Sequence, residues 1–136
     1  MRAVLGTNIL VSSLLAKLGN PATIYNAWLE DDFVLLTCEA QLDELRSTLR
    51  KPRLTIRIKP HETGKLMNRL RQKAEVIESL ARVSRSPDPT DDFLLALSEA
   101  GSADYLVTGD KNGLLSLKHH KTTKILSATT FAGLFA

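Results

Sequence analysis

Short apolar runs alternate along this chain with stretches of helical period, and that alternation limits the folds open to it. Arg2–Leu5 reads as a first strand and 9–15 as a helix. A second helix is expected over 21–30, with Asn20 as its cap and Pro21 at the first helical position. A strand follows over 33–37. Leu42, Leu45 and Leu49 recur at spacings of three and four, predicting a helix over 39–50 that stops before Pro52. An amphipathic helix over 61–73 carries Leu66, Leu70 and the stem of Lys73 on one face, and 75–78 is a short strand candidate. Thr90 is the expected cap of a helix over 91–100, which Gly101 ends. A strand over 105–108, a turn over 109–113, a last strand over 124–126 and a helix over 128–135 complete the pattern. Such alternation predicts an α/β chain: a parallel sheet of about four to five strands with helices on both faces.

The 136 residues suit one domain spanning 1–136, with no repeat or linker. Hydrophobic residues at 43% and charged residues at 24% exclude a disordered or fibrous chain. A single cysteine, Cys38, rules out a disulfide framework and a Cys-based zinc site. No run reaches the roughly 20 apolar residues of a membrane helix. Polar Thr7, Asn8, Ser12 and Ser13 interrupt the apolar stretch 3–16, and no small-residue cleavage site follows it. A cytoplasmic location without a membrane is the expectation.

Charge is unevenly spread. Between Arg46 and Arg85 lie 12 of the 18 basic residues against Glu62, Glu75 and Glu78, so this stretch carries +9 and the remainder −6. That asymmetry fits a polyanion-binding face beside an acidic site, or a solvated helix surface.

In parallel sheets the working site lies beyond the carboxyl ends of the strands. Leu5 leads into Gly6-Thr7-Asn8, and Thr108 into Gly109-Asp110-Lys111-Asn112. Two helices supply further acids, Asp43 with Glu44 and Asp91 with Asp92. Taken singly, each has a structural reading: helix capping for Asp91 and Asp92, a surface acid near Thr48 and Lys51 for Glu44, a turn residue for Asp110. Together, acids at several strand ends would crowd and require a neutralising cation. Oxygen-only ligands select a hard ion such as Mg²⁺ or Mn²⁺, and such a pocket beside a basic stretch suits phosphodiester hydrolysis. Arg46, Arg50, Lys51 and Arg53 follow Glu44 closely and are candidates for flanking phosphates, against an ordinary solvated helix.

Other chemistries find less support. His119 and His120 are adjacent and would diverge on a helix, and His61 follows Pro60, so all three are expected at the surface. No serine has a credible His/Asp partner. Trp28, Tyr25 and Phe33 read as core. The turn over 109–113 lacks both glycine-rich nucleotide-binding patterns. In the last helix, Phe131, Leu134 and Phe135 pack on the sheet or on a second subunit.

These segments resemble PIN-domain proteins of the VapC-like kind, the toxin ribonucleases of toxin–antitoxin pairs. The opening through Gly6-Thr7-Asn8 is similar to the family's strand leading into Asp-Thr-Asn. Leu42-Asp43-Glu44-Leu45-Arg46, followed by Lys51-Pro52-Arg53-Leu54, resembles the segment of the second acid, which falls on Glu44. Asp88-Pro89-Thr90-Asp91-Asp92, followed by Phe93-Leu94-Leu95, resembles the third-acid helix, with the acid at Asp92. The stretch from Ala103 through Thr108-Gly109-Asp110-Lys111 resembles the fourth segment, with its acid at Asp110. The resemblance implies a three-layer PIN-like fold and a Mg²⁺- or Mn²⁺-dependent endoribonuclease in which Glu44, Asp92 and Asp110 are catalytic and bind the metal. Gly6, Thr7, Asn8, Asp91 and Asn112 would support the site, Thr7 and Asn8 by hydrogen bonds to its carboxylates. Arg46, Arg50, Lys51, Arg53 and Lys111 would hold RNA. It further implies a cognate antitoxin and a homodimer. One departure stands out: Gly6 occupies the place of the family's first Asp and brings no ligand oxygen. A weakened or inactive nuclease is therefore expected, and a non-catalytic RNA- or protein-binding PIN-like domain stays open as the alternative.

Overall fold

The computed structural model describes residues 1–109 and 113–135. Its sheet has six strands: β1 (Arg2–Leu5), β2 (Val34–Thr37), β3 (Glu75–Val76), β4 (Tyr105–Val107), β5 (His119–His120) and β6 (Thr123–Leu126). They lie in the order β3-β2-β1-β4-β6-β5, parallel throughout except that β5 runs antiparallel to β6. The sheet thus exceeds the expected four to five strands by a two-residue edge strand. Two adjacent histidines have no apolar signature, and β5 exists because the chain folds back tightly at Lys121, whose φ is 51°.

The helices are α1 (Thr7–Leu15), α2 (Asn20–Leu29), α3 (Glu39–Leu49), α4 (Pro52–Thr55), α5 (Pro60–Lys73), α6 (Asp92–Ala100) and α7 (Ala128–Ala132), with short 3₁₀ turns at Pro89–Asp91, Leu114–Leu117 and Gly133–Phe135. Side chains alternate across the sheet with period two. Ala3, Leu5, Leu35 and Val107 join one core with residues of α1 to α5 and α7. Val4, Leu36 and Leu106 join the other, with Leu94, Leu95 and Leu97 of α6. The result is three layers. Trp28 and Phe33 are buried in the first core as expected, while Tyr25 packs against it and receives a hydrogen bond from Arg69 of 2.9 Å.

Local chemistry departs from expectation in four places. Gly19, at φ 105°, is the residue before α2, and Asn20 is its first residue, with Nδ2 bonded to Thr129 Oγ1 at 3.0 Å. Pro52 does more than end α3: lacking an N–H to leave unpaired, it opens α4. The cap near α6 belongs to Asp88, whose carboxylate accepts from both the amide and the hydroxyl of Thr90 (3.0 and 2.8 Å). His120 is only 6% exposed and lies between Glu99 and Arg85, whereas His61 and His119 are exposed as expected.

Candidate functional site

The strand order reverses between β1 and β4, since β1 continues toward β2 on one side and β4 toward β6 on the other. Crossover connections leave the sheet in opposite directions there and open a crevice at the carboxyl ends. A cavity of about 380 Å³ occupies it, lined by Gly6, Thr7, Asn8, Glu44, Asp91 and Thr108 together with Ile9, Leu94, Gly109 and Leu114.

Each polar wall has a local cause. The Gly6 amide donates to the Val107 carbonyl at 2.8 Å, extending the β1–β4 ladder by one residue before α1 begins. Thr7, at the first turn of α1, is buried, and its hydroxyl acts on the Glu44 carboxyl. Asn8 is exposed at the cavity wall. Glu44 stands on the open face of α3, whose Leu42, Leu45 and Leu49 are buried beneath it. Burial of its cavity side, then the Asp91 charge, push the Glu44 carboxyl above its ordinary pKa, while Thr7 and Lys51 act weakly the other way.

The structure separates the two adjacent acids at the head of α6. Asp91 lines the same cavity as Glu44, and its charge acts on that carboxyl. Asp92 does not: its Oδ1 accepts from the amides of Arg85 and Ser86, at 3.0 and 2.7 Å, and pins the segment that precedes α6. Neighbouring residues on a helical turn point about 100° apart, so only one of the pair can face the crevice. The 3₁₀ turn capped by Asp88 selects Asp91. Asp110, Lys111 and Asn112 lie outside the described residues.

Thr7 and Asn8 were expected to hydrogen-bond the carboxylates. The Thr7 hydroxyl acts on the Glu44 carboxyl and lowers its pKa, whereas Asn8 shows no side-chain bond among the described residues. Among the basic residues, Arg46 is paired with Asp43 at 3.1 Å, and Arg50, Lys51 and Arg53 are exposed around the junction of α3 and α4.

The cavity donors are all oxygen or amide groups, with no His or Cys among the lining residues. The Glu44 carboxyl, held above its ordinary pKa by burial and by the Asp91 charge on the same cavity, is what a hard divalent cation would relieve. The residues present therefore fit such an ion. Among the described residues no group of three or more His, Cys, Asp or Glu converges, so the described carboxylates of the site are two, Glu44 and Asp91. Gln41, which the sequence reading passed over, is 1% exposed and bridges α3 to the end of β1. Its only sequence signal is a polar residue on the apolar face of that helix.

A search of curated proteins found no match. A crystal structure of VapBC2 from Rickettsia felis bound to a DNA fragment from their promoter is similar in fold, with a TM-score of 0.61 and 15% identity over 93% of this chain and 98% of that chain. The family model that matches is the PIN domain, over residues 2–112. That match takes in β1 through β4, Gly6, Glu44 and both acids at the head of α6, and the chain belongs to the PIN domain family.

Proposed function

We propose that this chain is a divalent-metal-dependent endoribonuclease of the VapC-like kind, the toxin of a toxin–antitoxin pair, with activity reduced by Gly6. The observation that carries this reading is that Glu44 and Asp91 line one cavity at the carboxyl end of a parallel sheet, close enough for the charge of one to raise the pKa of the other. Glu44 and Asp91 would hold Mg²⁺ or Mn²⁺, joined by Asp110, which the sequence resemblance supplies as a further acid. Asp92 keeps a supporting role, fixing the loop that aims Asp91. When bound, the ion lowers the pKa of a water and stabilises charge growing on the phosphate. Lys51, close enough to lower the Glu44 pKa, and exposed Arg50 and Arg53 hold phosphates on either side of the scissile bond, with Arg46 and Lys111 as further RNA contacts. Ile9, Leu94 and Leu114 form an apolar wall that limits water beside the acids. Asn8, exposed at the cavity wall, offers its amide to the substrate backbone, and Asn112 orients water. An antitoxin covering this site, homodimer formation and a cytoplasmic location belong to the same reading. Among the described residues no helix is long and apolar enough to cross a membrane.

A second reading, a non-catalytic RNA- or protein-binding domain, is favoured by one feature, the absence of a side chain at Gly6. Purified protein, its Gly6→Asp form and its Glu44→Gln form, incubated with single-stranded RNA and Mn²⁺, separate the two. The nuclease reading expects slow, chelator-sensitive cleavage by the natural chain, faster cleavage by Gly6→Asp and none by Glu44→Gln. RNA binding without cleavage by any form would establish the second reading.

A further inference from the structure

We propose that Gln41 is a positioning residue that sets where Glu44 stands relative to the turn between β1 and α1. The Gly6 amide points to β4, where it meets the Val107 carbonyl, so the carbonyl of the same trans peptide, that of Leu5, points toward β2. On that side the β1–β2 register ends with Val4 opposite Leu36, and the chain soon leaves the sheet to start α3 at Glu39. The Leu5 carbonyl, on a residue 1% exposed, is met there by the side chain of Gln41, whose Nε2 donates to it at 2.6 Å. Thr37 Oγ1 at the end of β2 donates to Gln41 Oε1 at 2.7 Å and so fixes which way the amide faces. One buried side chain therefore ties α3 to the ends of two strands.

Glu44 lies three residues further along the same rigid helix, about 4.5 Å along its axis and roughly 60° around it. Any shift of α3 against β1 moves the Glu44 carboxyl relative to Gly6 and Thr7. Apolar contacts from Leu42, Leu45 and Leu49 hold the helix down but tolerate sliding, whereas two directional bonds to one amide define its register. A methionine at 41 has similar length but would strand the buried Leu5 carbonyl, which α3 must then move to relieve.

The consequence for metal binding rests on the ion site proposed above. Gln41→Met, Thr37→Val and the core control Leu70→Ala are compared with the natural chain by calorimetric Mn²⁺ titration and by thermal melting. Leu70 is fully buried on α5 and is not among the cavity's lining residues. Gln41→Met should raise the Mn²⁺ Kd about tenfold or more, in the range that outer supporting residues of metal sites command. Thr37→Val should raise it by less, and Leu70→Ala should leave it within about twofold despite a comparable loss in Tm. Equal Kd values for Gln41→Met and Leu70→Ala would overturn the proposal, and Thr37→Val carries the comparison if Gln41→Met does not fold. Metal-free crystal structures give an independent reading: Glu44 should shift by about 1 Å relative to Gly6 in the variant, a scale at which reacting groups lose alignment. An unmoved Glu44 would also overturn it. A natural chain that binds no Mn²⁺ refutes the ion site alone and leaves the crystallographic comparison to decide on Gln41.

Discussion

Replacing Gly6 by aspartate adds the carboxylate that the cavity lacks, and the structure sets how much that should disturb the fold. Gly6 has φ −58° and ψ 150°, a conformation open to any residue. A Cβ there would stand 3.3 Å from the Val107 carbonyl oxygen and 3.9 Å from Thr108, so a displacement of a few tenths of an ångström accommodates it. Losing a glycine restricts the unfolded chain and stabilises by about 0.4–1 kcal/mol. Against this, the new carboxylate meets Glu44 and Asp91, the two described acids of the cavity. A pair of charges 4 Å apart repels by about 1 kcal/mol in water and about 4 kcal/mol at a protein surface. With Glu44 on an exposed rim, about 1–2 kcal/mol is the relevant scale. The metal-free variant should therefore lose about 1 kcal/mol at pH 7, a fall in Tm of roughly 3–5 °C. That loss should shrink as pH falls into the carboxylate range. Mn²⁺ should reverse the sign: affinity at least tenfold above the natural chain corresponds to about 1.4 kcal/mol or more. Circular-dichroism melts at pH 5 and pH 7, with and without Mn²⁺, measure each quantity. A loss independent of pH would identify a steric effect at Val107 instead, and no gain in Mn²⁺ binding would refute the reasoning.

The Glu44 carboxyl is raised in the folded state by burial and by Asp91, so its contribution to stability is complete at acid pH and is lost as pH rises through the raised value. Glu44→Gln should accordingly gain Tm on the natural chain between pH 4 and pH 7 in metal-free buffer, modestly because solvent screens the rim; a difference that shrinks over that range contradicts the assignment. Phe131 is fully buried, with ring centroids of Phe33, Phe135 and Tyr105 at 5.2, 5.1 and 5.7 Å. Phe131→Ala should destabilise by about 3–5 kcal/mol in urea unfolding, and a change below about 1 kcal/mol would mean that this aromatic cluster does not hold α7 to the sheet.

The short apolar runs of β1, β2 and β4 and the periodic leucines of α3 and α5 made the layered sheet legible, because burial on both faces leaves an unbroken hydrophobic signature. The elements that escaped are those whose cause is not apolar. β5 depends on a hairpin turn at Lys121, and α4 on a proline that reads equally well as a stop or a start. The cavity opens beyond the ends of β1 and β4, where a parallel sheet places its crevice, and Gly6, Thr7, Asn8 and the helix residue Glu44 line its wall. Choosing between Asp91 and Asp92 lay beyond the sequence because one step along a turn rotates the side chain, and the rotation is set by Asp88 and by amides at Arg85 and Ser86. Gln41 was hidden for a related reason. Its partner is a backbone carbonyl 36 residues earlier, and a carbonyl has no letter in the sequence.

Crystals of the natural chain soaked in Mn²⁺, with anomalous scattering recorded, would show whether an ion occupies the cavity and which acids hold it. A peak is expected between Glu44 and Asp91, within ligand distance of both carboxylates, and none near Asp92. Density for the ion elsewhere, or no ion in this cavity at concentrations that saturate a known Mn²⁺ enzyme, would contradict the proposed site.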